Sequence, residues 1–400
     1  WHPWCHYPVG YSGMLALAYR LVGHGQYVAP LLNAVVGALL AAVIYGTARY
    51  ATTEPRARVA GLLVAAHPGL IAYTALVMTE LVAALGLALA AWIAARPRQR
   101  LRSGALAGLV LGLTTLVRPQ TILLAPALGL FVESSSRLRT WARRALPVAC
   151  LGTVMALAVV SPWTIRNCHV MDGCAFVSTN AGWNLAIGSF PRATGRFATL
   201  RAEDGCRVIT GQVQQDRCWW QAGVAWIREA PGRWLTLVPR KLSETFDHES
   251  YAIGYMAEAD PGAWQESTRE RARTWLTVAH QLVLFLAALG VVAWPRWRRR
   301  STWQLVALAL LGVLGIYAFQ LPSHPVWPLA VAIPAIAARR LPGAPRLGGV
   351  GGDACWAVAT VVLTHAVFFG EDRYHIVVTP LLCLLAACAL RRTDGTAASR

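Results

Sequence analysis

Charge is scarce in this 400-residue chain: Asp, Glu, Lys and Arg make up 14% of it, against 56% hydrophobic residues. A soluble helical fold needs polar faces, and stretches such as ALAGLVLGLTTLV (105–117) have none, so a large soluble core is excluded. Acids are scarcer than bases, 19 against 37, and no Asp or Glu precedes Glu54. Lysine is nearly absent: Lys241 stands alone beside 36 arginines, a bias that reflects genome composition more than chemistry. The net charge of +18 would suit nucleic acid, but the arginines fall in short clusters between apolar runs. Membrane topology signals have that distribution, so nucleic-acid binding is excluded. The chain begins at Trp1 with neither Met nor a leader-like segment, and is expected to continue upstream.

Long apolar runs are abundant. They predict an all-α polytopic membrane protein with eleven spans, at about 28–48, 57–74, 79–95, 104–117, 120–132, 145–162, 275–294, 303–320, 325–338, 354–369 and 374–390. Arg118-Pro119 is expected to separate two short helices, because one span could not carry a mid-membrane Arg and Pro. Six connections hold 21 of the 37 basic residues: 49–58, 96–102, 137–144, 296–300, 339–346 and 391–400. Every second connection is one of these, so the positive-inside rule makes them cytoplasmic. The opposite set faces outside: 1–27, the turn near 75–79, Arg118-Pro119, the long loop 163–274, LPSH (321–324) and GEDRYH (370–375). An outer N-terminal end implies one further span upstream, twelve in all. The expected units are an outer-loop remnant with a juxtamembrane helix (1–27), a first helix bundle (28–162), an outer mixed helix-and-loop domain (163–274), a second bundle (275–390) and a cytoplasmic tail (391–400).

The outer loop holds 12 of the 19 acidic residues, which marks it as a solvated domain. Its many tryptophans suit anchoring at the membrane face, or packing around a sugar or lipid. Residues 224–242 read as an amphipathic helix lying along the membrane and broken near Pro231. Cys168, Cys174, Cys206 and Cys218 lie in this loop, where disulfides are allowed. Local pairing, Cys168–Cys174 and Cys206–Cys218, is one of three possibilities. A zinc site is the alternative, weakened by the lack of any C-x-x-C element. Cys150, Cys355, Cys383 and Cys388 lie in spans and read as core filler.

Several ionisable residues sit at outer span ends: Glu80 after Thr79, Arg118 in TLVRPQT, Arg166 and Asn167 in PWTIRN, and Arg373 in GEDRYH. Taken singly, each reads as a helix cap or a snorkelling anchor. Taken together, Arg118, Arg166 and Arg373 map to one side with Glu80, Glu371 and Asp372. That is the composition of an anion-binding cavity with carboxylates at its edge.

These stretches resemble the membrane glycosyltransferases of type C fold, in particular bacterial members of the dolichyl-phosphate-mannose–protein mannosyltransferase and aminoarabinose transferase group. The resemblance rests on YPVGYSGMLALAYRLVGHGQ (7–26), HPGLIAYTALVMTE (67–80), GLVLGLTTLVRPQTILLAP (108–126), PWTIRN (162–167), STNAGWNLAIGSFPRATG (178–195) and FFGEDRYHIVVTPLL (368–382), in this order along one topology. It implies a polyprenyl-phosphate-sugar donor entering from the membrane, an extracytoplasmic acceptor (protein, lipid or glycan) and inverting glycosyl transfer. It also implies a catalytic Asp in the first outer loop, expected upstream of Trp1.

On this reading a lipid phosphate departs, already anionic, and needs positive charge and donors rather than a proton. Arg373, Arg118 and Arg166 are the candidates for binding it, with Tyr374 and His375 as neutral donors. Glu80 is expected to pair with one of the arginines or cap a helix. Asn167, Asn180, Asn184 and Glu371 are supporting or acceptor-side candidates, with loop capping the equal alternative for Asn180 and Asn184. No cofactor is firmly implied. A divalent metal is possible in related enzymes, but no His, Asp or Glu pair here has convincing ligand spacing. A transporter or flippase is the first alternative, disfavoured because the halves show no repeat and the charges gather near one face. An O-antigen polymerase or ligase is the second, disfavoured by the loop position and the PWTIRN and STN strips.

Overall fold

The computed structural model describes residues 3–96, 100–128, 138–293, 309, 312–313 and 349–390. The spans expected at 303–320 and 325–338 fall outside the described residues, apart from three positions. So do the LPSH loop, the basic clusters at 296–300 and 339–346, and the tail from 391.

The described chain is helical, with no strand among the described residues and one isolated backbone bridge, Arg196 to Gly370. A short helix, α1 (Val9–Val22), precedes the long α2 (Val28–Ala51). The next apolar run breaks into α3 (Glu54–Ala66) and α4 (Pro68–Thr74). The break falls where Pro68 can offer no N–H to the preceding turn, and His67 caps the new helix by accepting from the Leu70 N–H at 3.4 Å. Helices α5 (Glu80–Ala94) and α6 (Arg100–Thr115) follow. In the run expected to span at 120–132, the described part is a 3-10 helix over Pro119–Ala127, and 129–132 lie outside the described residues. Pro119 and Pro126 remove the donors that a longer α-helix would need, and nine residues at about 2 Å each fall short of a bilayer.

Helix α7 (Leu138–Val170) is the longest, 33 residues including two prolines. It packs on a line of small residues, Gly104, Gly108 and Gly112 of α6, spaced four apart. A Cβ on Gly108 would run into the Gly152 backbone, and one on Gly112 into Ala156. Close backbone approach of this kind replaces the hydrophobic force that lipid does not supply. Among the described residues, four helices are long and apolar enough to cross a membrane: Val28–Ala51, Ala142–Val170, Glu266–Val291 and Gly349–Val367. Their outward residues, among them Leu31, Val35, Leu39, Val154, Leu282 and Leu363, are apolar and exposed. Cys150 is exposed too, contrary to its expected place in the core. Inside, Leu40, Ile44, Leu81, Leu111, Leu284 and Ile376 form one continuous buried core.

Between α7 and the next long helix lie α8 (Ala181–Ile187), α9 (Gln212–Glu229), α10 (Pro231–Phe246) and α11 (Tyr251–Ala259). Both local disulfides, Cys168–Cys174 and Cys206–Cys218, are formed. Asp172 accepts from the backbone N–H groups of Val213 (3.0 Å) and Gln214 (2.9 Å) at the start of α9. Asp216 does the same for Gly182 (2.8 Å) and Trp183 (3.2 Å) at the start of α8. Trp219, fully buried with Ile187, Phe190, Leu200 and Phe369, centres a second small core. Helices α12 (Glu266–Ala293), α13 (Gly349–Val367) and α14 (Thr379–Ala387) complete the described fold. A 3-10 turn, Asp372–Val377, joins the last two.

Candidate functional site

GEDRYH is the first four residues of this 3-10 turn with the two that precede it, and it is held from several sides. The Gly370 N–H donates to Gly195 O at 2.8 Å. Gly370 also rests directly on the Lys241 carbonyl, and Gly188 on the Phe368 carbonyl, where any Cβ would collide. Lys241 is fully buried, and its Nζ donates to Val367 O (3.0 Å) and Ala366 O (3.4 Å), the unpaired carbonyls at the end of α13. The lone lysine is thus a clamp on the helix that delivers the turn. Burial, and then the like charge of Arg233, lowers its pKa to about 7.

Each charged residue of the turn has a separate partner. Asp372 Oδ2 accepts from the Ser250 N–H and, at 2.7 Å, from the Tyr251 N–H, so it caps α11 from 121 positions away. Glu371 Oε2 lies 2.6 Å from Arg373 Nε. Burial raises the Glu371 pKa against the pull of Arg373. Arg373 lies between two rings, its Cζ 4.9 Å from the Tyr251 centroid and 5.1 Å from that of Tyr374. Its terminal nitrogens donate to Tyr251 Oη (3.4 Å) and Tyr374 Oη (3.3 Å). Burial alone would lower its pKa, but Tyr374, Glu371 and Glu80 raise it well above the usual value, so it stays charged.

Tyr374 connects this arginine to a second one. Its ring stacks on His365, centroids 4.1 Å apart at 11°, and Arg118 Cζ lies 5.4 Å from its centroid. Arg118 forms a buried ion pair with Glu80, and its Nε donates to Thr79 Oγ1 at 3.2 Å. The Arg118 side chain is 9% exposed, whereas that of Arg373 is 28% exposed. Arg373 is therefore the more accessible of the two cations. Beyond two contacts of Arg373, Tyr251 and Glu371, opens a cleft of about 410 Å³, lined by these two and by Asp372, Arg196, Glu244 and Arg273 among others. Its size suits a small polar ligand.

The structure brings Arg118, Arg373, Tyr374, Glu80 and Glu371 together, and it places other expected residues elsewhere. Arg166 NH1 donates to Trp4 O (3.4 Å) and Asn167 Oδ1 (3.0 Å), and its Cζ sits over the Trp163 ring at 4.7 Å. None of these contacts reaches Arg118 or Arg373. Asn167 is fully buried, and its Nδ2 donates to Ala175 O (3.2 Å) and Val177 O (3.3 Å), closing the Cys168–Cys174 loop. It serves the fold and has no atom left for an acceptor. Asn180 accepts from Ser178 Oγ at 2.9 Å, and Asn184 is half-buried on α8. His375 corrects the expectation of a neutral donor beside Tyr374. Its ring is fully buried, with Nδ1 2.7 Å from Thr245 O and Nε2 3.5 Å from Glu249 Oε2. A 3-10 turn of three residues per turn sends consecutive side chains in different directions, so Tyr374 and His375 part company. Sequence reasoning missed Tyr251, Lys241 and His365. The Ser-Tyr after an acidic loop was the faint signal for Tyr251.

No curated protein matches the chain. Among solved structures it is similar to the Archaeoglobus fulgidus oligosaccharyltransferase tethered to an acceptor peptide, at 13% identity and a TM-score of 0.46, covering 97% of this chain and 41% of that one. The archaeal oligosaccharyltransferase AglB from the same organism, in complex with an inhibitory peptide and a dolichol-phosphate, matches at 13% identity and a TM-score of 0.46, over 97% and 43%. The chain thus spans about two-fifths of the length of these structures. Residues 6–165 match the family model of dolichyl-phosphate-mannose-protein mannosyltransferase. Over that portion the chain is similar to the family that its own motifs resemble, membrane glycosyltransferases of type C fold.

Proposed function

We propose that this protein transfers a sugar from a polyprenyl-phosphate-linked donor to an acceptor on the outer face of a bacterial plasma membrane, with inversion at the anomeric carbon. The observation that supports this most is the joint placement of Arg373, Tyr374 and Arg118, with two contacts of Arg373, Tyr251 and Glu371, lining an open cleft. In such a transfer an acceptor hydroxyl gives its proton to a carboxylate base and attacks the anomeric carbon while the bond to the lipid phosphate breaks. The phosphate leaves with two negative charges where it had one. Fixed cations in a dry setting stabilise that gain without moving. Arg373 offers a permanent charge and a planar fork, held between Tyr251 and Tyr374 so that little freedom is lost on binding. Tyr374 contributes a neutral hydroxyl, and Arg118 a second positive charge behind it. Glu80 and Glu371 keep the empty site from being an uncompensated pair of cations. Asn180, Asn184 and Arg166 are kept as acceptor-side or outer-loop candidates, away from the phosphate.

The test is direct. Full-length protein in detergent or liposomes is incubated with radiolabelled polyprenyl-phosphate sugars and extracytoplasmic acceptor fractions. Transfer of label to a protein, lipid or glycan is expected. Absence of transfer from every such donor, by protein that is folded and membrane-inserted, would overturn the reading.

A further inference from the structure

We propose that His67, Glu249 and His280 form a binding site for a divalent transition-metal ion of the zinc class. The inference stands apart from the glycosyl-transfer reading. The three residues come from three places: the α3–α4 break, the link between α10 and α11, and the middle of α12. One ligand-capable atom from each lies within 4.8 Å of the other two. All three side chains are buried, at 3%, 1% and 0% exposure.

The hydrogen bonds define what each group has to offer. His280 Nε2 lies 2.9 Å from Phe246 O. A carbonyl can only accept, so Nε2 carries the hydrogen and Nδ1 presents a lone pair. Metal-bound histidines are commonly oriented in this way, with the second nitrogen donating to a backbone carbonyl. That Nδ1 has no partner, and neither do His67 Nε2 and Glu249 Oε1. The other Glu249 oxygen faces His375 Nε2 at 3.5 Å, while His375 Nδ1 donates to Thr245 O. Two lone pairs, on His280 Nδ1 and Glu249 Oε1, therefore face a closed space that His67 Nε2 enters as an N–H. Such a space needs positive charge, since an uncompensated buried carboxylate is strongly unfavourable. His67 Nδ1 accepts from the Leu70 N–H at 3.4 Å, a long bond. Ligation through its Nε2 moves the proton to Nδ1 and gives up that bond.

Two imidazoles and one carboxylate form a donor set suited to zinc and its first-row neighbours, with a fourth position for water. Magnesium and calcium prefer all-oxygen shells. A metal here would tie α4, the 247–250 link and α12 together. Through His375, stacked on His280 with centroids 3.7 Å apart, it would also support the turn that carries Arg373 and Tyr374.

The full-length protein, purified in detergent without chelator and supplied with zinc, is assayed for bound metal by mass spectrometry and for ligand-field absorption after cobalt exchange. One metal per chain is expected, with the wild-type melting temperature rising with zinc and falling with chelator. Glu249→Gln and His280→Asn should each lose the metal, while His24→Asn, at an exposed histidine, should keep it. Gly69→Ala changes no ligand, but its Cβ would collide with Glu249 Oε1, and it should lose the metal as well. The wild-type measurements decide the case even if a variant fails to fold. A wild-type chain that binds no stoichiometric metal and whose melting ignores both zinc and chelator overturns the proposal. So does equal metal content in folded Glu249→Gln, which would leave shared protons to neutralise the cluster.

Discussion

The Arg118 guanidinium lies over the Tyr374 ring, 5.4 Å from its centroid, although 256 positions separate them. The arginine that precedes the Pro119–Ala127 3-10 helix and the Arg-Tyr pair before α14 therefore belong to one wall. Arg373 lies against the same ring and is the more exposed of the two, so one ring carries a more accessible cation and a more buried one.

Arg373 is the residue whose loss should tell most. Arg373→Ala is expected to lower transfer by about 10²–10³-fold, the size of effect seen when a fixed transition-state donor is removed. The fall should appear in kcat as well as KM, with helical content unchanged by circular dichroism. Arg373→Lys keeps the charge but loses the planar fork between two rings, and should recover only part of the activity. Full activity in either variant would remove Arg373 from the site.

Arg118 and Glu80 form a buried pair, so breaking it from either side should be costly. Glu80→Gln leaves a buried cation without its partner, and a loss of about 3–5 kcal/mol is expected. The double variant Glu80→Gln, Arg118→Met should restore most of that stability but not the transfer activity. Thermal melts of the four proteins in one detergent give the coupling. Additive effects would mean that the pair contributes little to stability.

The gross helical layout was legible because hydrocarbon forces long apolar runs. For the same reason Arg118, Glu80 and Arg373 stood out, since ionisable residues at span ends are costly enough to be noticed. The same signal could not separate Arg118 from Arg166, which ends its run in similar company yet holds Trp4 and Asn167. Composition reports that a charge is near the membrane face, not which way it turns. Residues 119–127 misled because an apolar run with two prolines is apolar all the same. The roles of Lys241, Asp372 and Glu249 were invisible for another reason. Their partners are backbone groups or side chains more than a hundred positions away, and such pairings leave no local spacing to read.

Gly370 should be intolerant of even one methyl group. Its Cα rests on the Lys241 carbonyl, so Gly370→Ala must push the turn off α10. Arg373 and Tyr374 would move with it. A shift on the order of 1 Å can reduce rate about 100-fold without touching a reacting group. Gly370→Ala is therefore expected to be folded, membrane-inserted and nearly inactive, as judged by transfer assay beside gel filtration. Gly232 has open space around it and lies outside the cleft lining, and Gly232→Ala serves as the control.

The Cys206–Cys218 bond ties the irregular segment before α9 to that helix, whose Trp219 fills the small core. Loss of a loop closure of this length is expected to remove about 2–3 kcal/mol from the outer segment. Replacing both cysteines with serine should make residues near 200–210 the first site of limited proteolysis. Proteolysis of the paired wild type is expected to begin elsewhere. Identical cleavage patterns would mean that the disulfide does not hold this segment.

Lys241 gives the chain a pH dependence whose sign can be worked out. Burial, with help from Arg233, sets its folded pKa at about 7, below the 10.5 of a free lysine. Between those two values the unfolded chain binds more protons than the folded one. Stability therefore rises as pH increases from about 7 toward 10.5, and it is lowest below pH 7, where the buried amine must be charged in the folded chain as well. Lys241→Met removes this titration while keeping the length of the side chain. Melting temperatures measured from pH 6 to pH 10 should climb less in Lys241→Met than in the wild type. The variant also loses the donors to Ala366 and Val367, so it should melt lower than the wild type at pH 9, where the neutral amine still donates. Parallel pH curves for the two proteins would mean that the amine reaches solvent in the folded chain, and the clamp on α13 would then have to be assigned to other contacts.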